Sequence, residues 1–126
     1  MSYAAVEKHC MALPGVTVHQ PWGDSRVFKV GGKMFAMIPL EGKKANGVWF
    51  KAGETSMRIL VEIDGIHPCP YLARAKWVAM DDLKPLRPAE LRGYLTRAHA
   101  IVASGLPKKT REKLGIAAVM EDNPFL

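Results

Sequence analysis

The chain has 126 residues, 48% of them hydrophobic and 24% charged, and carries a net charge of +6. Both fractions are ordinary for a globular protein, and a chain this long buries roughly two thirds of its unfolded surface, enough for one domain to fold without disulfides or a structural metal. No apolar run approaches the ~20 residues that a membrane-spanning helix requires.

The N-terminal stretch Met1-Ser2-Tyr3-Ala4-Ala5-Val6-Glu7-Lys8 lacks a basic segment followed by an apolar core, so it reads as a helix and not as a signal peptide. Ser2 suits the N-cap. Tyr3, Val6, Cys10 and Leu13 share one helical face, and Pro14-Gly15 ends the helix. Val16 to His19 is predicted to be extended, and Pro21-Trp22-Gly23-Asp24 to turn. Two β-rich runs, Arg26–Val30 and Lys33–Ile38, flank Gly31-Gly32 and predict a two-residue hairpin, because both central residues of such a turn need positive φ. Pro39 is expected to close the second strand, Glu41 to Asn46 to form a polar loop, and Gly47 to Lys51 to add a third strand.

A second helix is predicted over about Thr55–Asp64, with Met57, Leu60 and Val61 on one face, Ile59 and Ile63 widening it, and Gly65 after its end. Two prolines in three residues make Ile66 to Tyr71 irregular. Lys76 to Met80 reads as a strand ended by Asp81-Asp82. Pro88 and Glu90 open a long helix whose apolar stripe is Leu91, Tyr94, Leu95, Ala98, Ile101 and Val102, ended by Gly105. Pro107 then opens a basic turn over Lys108–Lys113, and Gly115 to Leu126 forms a tail. This order predicts one α+β domain over residues 1–126, with its core at about 3–114. It is a two-layer sandwich with helices on one face of an antiparallel sheet.

Cys10 and Cys69 stand alone, outside any CxxC pair, which fits two reduced, buried thiols and a cytoplasmic protein. The charge is uneven. From Arg26 to Lys51 there are six bases (Arg26, Lys29, Lys33, Lys43, Lys44, Lys51) and one acid, Glu41, while the other 100 residues are almost neutral. Such a surplus is either a solvated face or a surface for phosphates.

Motifs for other chemistry are missing. There is no GxGxxG, no GxxxxGK[ST] and no HExxH, and Gly31-Gly32-Lys33 lies between two strands instead of opening a helix. The four histidines, His9, His19, His67 and His99, have no ligand partner at i+3 or i+4; His99 reads as a boundary residue of the long helix. Asp24, Asp64, Asp81 and Asp82 all flank turns, where Asp has structural work. No catalytic residue, metal or cofactor is assigned, and the expectation is a binding protein and not an enzyme. Trp22, Trp49 and Trp77 lie near lysines, a pattern that serves base stacking with phosphate contacts or plain core packing. For Trp49 and Trp77, both within predicted strands, packing is the leading reading.

Leu13-Pro14-Gly15-Val16, Pro21-Trp22-Gly23-Asp24 and Val27-Phe28-Lys29-Val30-Gly31-Gly32-Lys33-Met34-Phe35-Ala36 together resemble the MmcQ/YjbR family, as do Pro70-Tyr71-Leu72-Ala73-Arg74-Ala75-Lys76-Trp77-Val78 and Leu106-Pro107-Lys108-Lys109. The resemblance runs from about Val6 to Lys113. It implies a sandwich similar to the CyaY (frataxin-like) fold and a DNA-binding role through a double wing of β-hairpins. It places Lys29 and Lys33 in the first hairpin, Arg74, Lys76 and Trp77 around the later strand, and Lys108 and Lys109 at the last helix. Iron is not expected with it, since the acidic residues form no run beyond Asp81-Asp82 and Glu121-Asp122.

The leading expectation is therefore a DNA partner, gripped by these residues largely without regard to sequence. The alternative is a small-molecule or protein partner in an aromatic pocket near Trp22, Asp24, Tyr71 and Trp77.

Overall fold

A computed structural model of the chain describes residues 1–20 and 23–116. Helix α1 (Tyr3–Ala12) is followed by strands β1 (Val16–His19), β2 (Ser25–Val30), β3 (Lys33–Glu41), β4 (Lys44–Ala45) and β5 (Val48–Lys51). Helix α2 (Glu54–Leu60), strand β6 (Ile66–Pro68), a short 3-10 turn (Ala73–Ala75), strand β7 (Trp77–Met80), and helices α3 (Pro88–Ser104) and α4 (Lys108–Leu114) complete it. The strands form one antiparallel sheet in the order β1-β2-β3-β5-β7-β6, with β4 folded back on β3. The α+β class and the helices on one side agree with the sequence.

Register explains the core. Val18, Phe28, Ala36, Phe50 and Val78 lie opposite one another across five strands, so they share one face. That face meets Val6 and Cys10 of α1 and Leu91, Leu95 and Ala98 of α3, all fully buried. Each large side chain sealed there contributes about 1.5–3 kcal/mol relative to exposure. Ser2 caps α1 as expected, its Oγ accepting from Ala5 N at 3.1 Å, and Glu90 accepts from Arg87 N at 3.0 Å at the start of α3.

The Gly31-Gly32 hairpin forms with φ of 58° and 80°, and Val30 pairs directly with Lys33. A bulge at Phe28/Lys29 leaves Phe35 as the extra residue of β3. The bulge turns Phe35 into the core beside Ala36, where it is fully buried.

Several expectations are corrected. His99 is not a boundary residue: it is 2% exposed. Its Nε2 donates to the Pro14 carbonyl at 2.8 Å, and its ring meets Phe35 edge-on at 5.4 Å. Helix α2 is shorter than predicted, because its last turns tighten: Glu62 N bonds Ile59 O and Ile63 N bonds Leu60 O. Ile59 is 59% exposed and does not widen the apolar face. Ile66–Pro68 is a strand after all, but at the sheet edge, where proline is tolerated.

Pro39 does not end β3. Its carbonyl accepts from Asn46 N, on the side where the ladder to β5 has already stopped at Met37–Trp49. The predicted loop after it pairs instead as β3–β4. The predicted basic turn is helix α4, and the core runs past residue 114, since Ile116 is fully buried. The rest of the predicted tail, 117–126, and Trp22 lie outside the described residues.

Candidate nucleic-acid interface

Strand direction divides the molecule into two ends. One end gathers the β2–β3 turn, the end of β5, the β6–β7 connection and the C-terminus of α3. The α3–α4 connection and α4 lie across it: Leu106 of the connection packs on Gly31 and Leu114 of α4 on Gly15. The other end gathers the β3–β4 turn, the end of β7 and the loop into α3.

The charges sort between these ends. The hairpin end holds eight cations, Lys33, Lys51, Arg74, Lys76, Lys108, Lys109, Arg111 and Lys113, against two acids among the described residues, Glu54 and Glu112. Both acids face a base on their own helix, Glu54 at 3.1 Å from Arg58 and Glu112 at 4.0 Å from Lys108. The opposite end holds seven acids, Asp24, Glu41, Glu62, Asp64, Asp81, Asp82 and Glu90, among four bases, Lys43, Lys44, Lys84 and Arg87. The molecule therefore has a cationic pole, and a field of that shape attracts polyanions.

The basic segment seen in sequence is not the origin of this pole. Lys43 and Lys44 belong to the β3–β4 hairpin at the far end, and Arg26 pairs with Glu7 of α1. Only Lys33 and Lys51 of that segment reach the pole. The others come from the β6–β7 connection and α4.

The predicted residues separate accordingly. Lys33, Arg74, Lys76, Lys108 and Lys109 are exposed at the cationic pole. Lys29 is half-buried on the sheet face away from the helices, opposite Thr17 and Met34. Trp77 is only 2% exposed and packs with Cys69 and Ala79. It is corrected from a DNA contact to a packing residue, because almost none of its surface is open for a base to stack on. Of the alternative pocket, Trp22 lies outside the described residues, and Asp24 and Tyr71 stand apart. Asp24 precedes β2 at one end and Tyr71 precedes β7 at the other, about 20 Å apart at ~3.3 Å per residue and ~4.8 Å per strand.

Two shallow cavities flank Trp77 and Trp49. The first, about 440 Å³, opens at the cationic pole, with Lys33 and Lys51 over a floor of Met34, Leu72, Trp77 and Ile101. Sequence reasoning left Lys51 out of the site. The strand alternation carried the signal, since Lys51 lies opposite Trp77, but only with the β5–β7 pairing known.

The second, about 620 Å³, is lined by Pro39, Asn46, Trp49 and a His67–Asp81 pair. Those two side chains meet at 2.6 Å, His67 from β6 and Asp81 from the residue that follows β7. Among the described residues, no three His, Cys, Asp or Glu side chains gather as metal ligands would.

The YjbR family model matches residues 11–101. The chain belongs to the YjbR family. Its YjbR fold is similar to the crystal structure of the Deinococcus radiodurans protein DR2400, which carries a DUF419 domain, with a TM-score of 0.78 and 21% identity over 90% of this chain and 88% of that one. A Pseudomonas syringae protein matches with a TM-score of 0.64 and 17% identity, over 80% of this chain and 98% of its own. At these identities the likeness is one of YjbR fold alone. No curated protein matches the chain.

Proposed function

We propose that this protein binds DNA through the phosphate backbone, with the cationic pole as the contact surface and no dedicated base readout. The observation that carries the reading is the convergence of Lys33, Lys51, Arg74, Lys76, Lys108 and Lys109 from four separate segments onto one end, where only two acids among the described residues accompany them. Lysines and arginines that outnumber the carboxylates around them supply sequence-independent affinity by releasing counterions. The β2–β3 hairpin and the β6–β7 connection both project at this end, which suits two wings flanking one backbone.

The test is fluorescence anisotropy of a labelled ~20-base-pair duplex at several salt concentrations. If about five cations meet phosphates, log K falls with log salt at a slope near −4.5, roughly 500-fold between 50 and 200 mM. Lys33→Glu combined with Lys108→Glu is expected to flatten the slope by about 2. An unchanged slope in that variant rules the surface out.

A further inference from the structure

The eight residues between β6 and β7, Cys69 to Lys76, combine features that electrostatics alone does not require. Tyr71 is fully exposed, at 102% of its reference area, and no other Phe, Tyr or Trp among the described residues is exposed. Its backbone is left-handed, φ 64°, as is that of Lys76 at 63°. These are the two non-glycine residues with positive φ among those described, and both lie in this one loop. Left-handed backbone is disfavoured for L-residues and persists where the surroundings hold it; such strain clusters at functional sites.

Here the surroundings hold it. Leu72 N bonds Cys69 O, Trp77 N bonds Leu72 O, and Cys69 N bonds Trp77 O, so the loop is closed on itself. Leu72 is pinned against Trp77 and Cys69. The loop thus presents a phenol ring outward from a hydrogen-bonded base, with Arg74 and Lys76 exposed in the same loop. The neighbouring cavity places Lys33 and Lys51 over an apolar floor that includes Leu72.

We infer that the ligand of this end is unpaired rather than duplex DNA, with one base stacked on Tyr71 and the flanking phosphates held by Arg74, Lys76, Lys33 and Lys51. The inference rests on the DNA-binding reading above and specifies its substrate. An exposed aromatic ring on a surface rich in cations is the arrangement that grips single strands, since every base has a stacking face and every phosphate a charge. In a duplex the bases are already stacked on each other and reach a side chain only after being flipped out. A fully exposed ring gives a duplex nothing to gain.

The test compares a labelled 20-nucleotide oligothymidine with a ~20-base-pair duplex by anisotropy, using the full chain and its Tyr71→Ala, Tyr71→Phe and Lys33→Glu/Lys51→Glu variants. Tyr71 makes no described packing contact, so these substitutions leave the fold intact, which equal urea midpoints verify. The inference expects the single strand to bind more tightly than the duplex. Tyr71→Ala then weakens single-strand binding by about 5- to 150-fold, the range for one lost base stack. Duplex binding stays unchanged, the salt slope for the single strand stays unchanged, and Tyr71→Phe retains the affinity. Single-strand binding that is indifferent to Tyr71→Ala overturns this inference while leaving backbone binding standing, provided that Lys33→Glu/Lys51→Glu still flattens the slope. Absence of binding to both probes at low salt overturns the two readings together.

Discussion

Gly31→Ala probes the joint that holds the cationic pole together. Gly31 has φ 58°, and a Cβ built on it comes within 2.6 Å of Leu106 Cδ1, a side chain that is itself 5% exposed. Two separate penalties follow. Left-handed backbone costs an alanine about 1–2 kcal/mol. Forcing a methyl into a filled site costs about 1–3 kcal/mol more. Gly32 is the internal control: its φ is 80°, and a Cβ there meets nothing within 4 Å. Gly32→Ala should therefore lose only the backbone part, about 1–2 kcal/mol, and Gly31→Ala about 2–5 kcal/mol.

Urea unfolding with a shared m-value measures both. Repeating Gly31→Ala in a Leu106→Ala background removes the collision, so the excess over Gly32→Ala should vanish, giving a coupling of about 1–3 kcal/mol. Equal losses for Gly31→Ala and Gly32→Ala would refute the argument, because the β2–β3 turn would then not be seated on the α3–α4 junction. The Lys33 hairpin and the Lys108-Lys109 helix start would lose their common anchor.

Burial holds His99 and His9 below the usual imidazole range. The folded state thus favours neutral rings, the unfolded chain takes up protons first below about pH 6.5, and stability is lost as pH falls from there towards the folded values, by at most about 1.4 kcal/mol per pH unit for the buried His99 and by less for the half-exposed His9. Urea midpoints between pH 7.5 and 5 should show that slope, and His99→Leu should reduce it; an unaltered slope would exclude His99 as a contributor. Burial also pushes the Cys10 and Cys69 thiols up to about 12, which cuts the thiolate present at pH 8 by about a thousandfold from that of a free cysteine. A disulfide reagent should accordingly label neither thiol quickly in the native protein and both quickly in urea, and fast native labelling of either contradicts the burial.

Some elements were legible in the chain because their signals are local. Helices α1 and α3 show a 3.6-residue stripe between a cap and a breaker, and Gly31-Gly32 between two β-rich runs permits little but a hairpin. Weak local signals misled. The α2 stripe continues past the point where the backbone tightens, β6 is three residues long, and α4 looks like a turn because seven residues carry little periodicity. Trp77 is ambiguous in sequence, since a strand tryptophan faces either layer of a sheet, and only the Leu72 and Cys69 packing above it decides the matter.

By itself, then, the sequence determined the α+β class, the hairpin and the excess of positive charge, all of which follow from composition and short-range periodicity. It could not determine where that charge would stand. Lysines only ten residues apart in the chain, Lys33 and Lys43, end at opposite poles because β3 runs the length of the sheet between them. Lys33, Lys51, Lys76 and Lys108 meet because antiparallel pairing and the α3–α4 joint return four distant segments to one end. That convergence arises from long-range register and packing, which no window of the sequence contains.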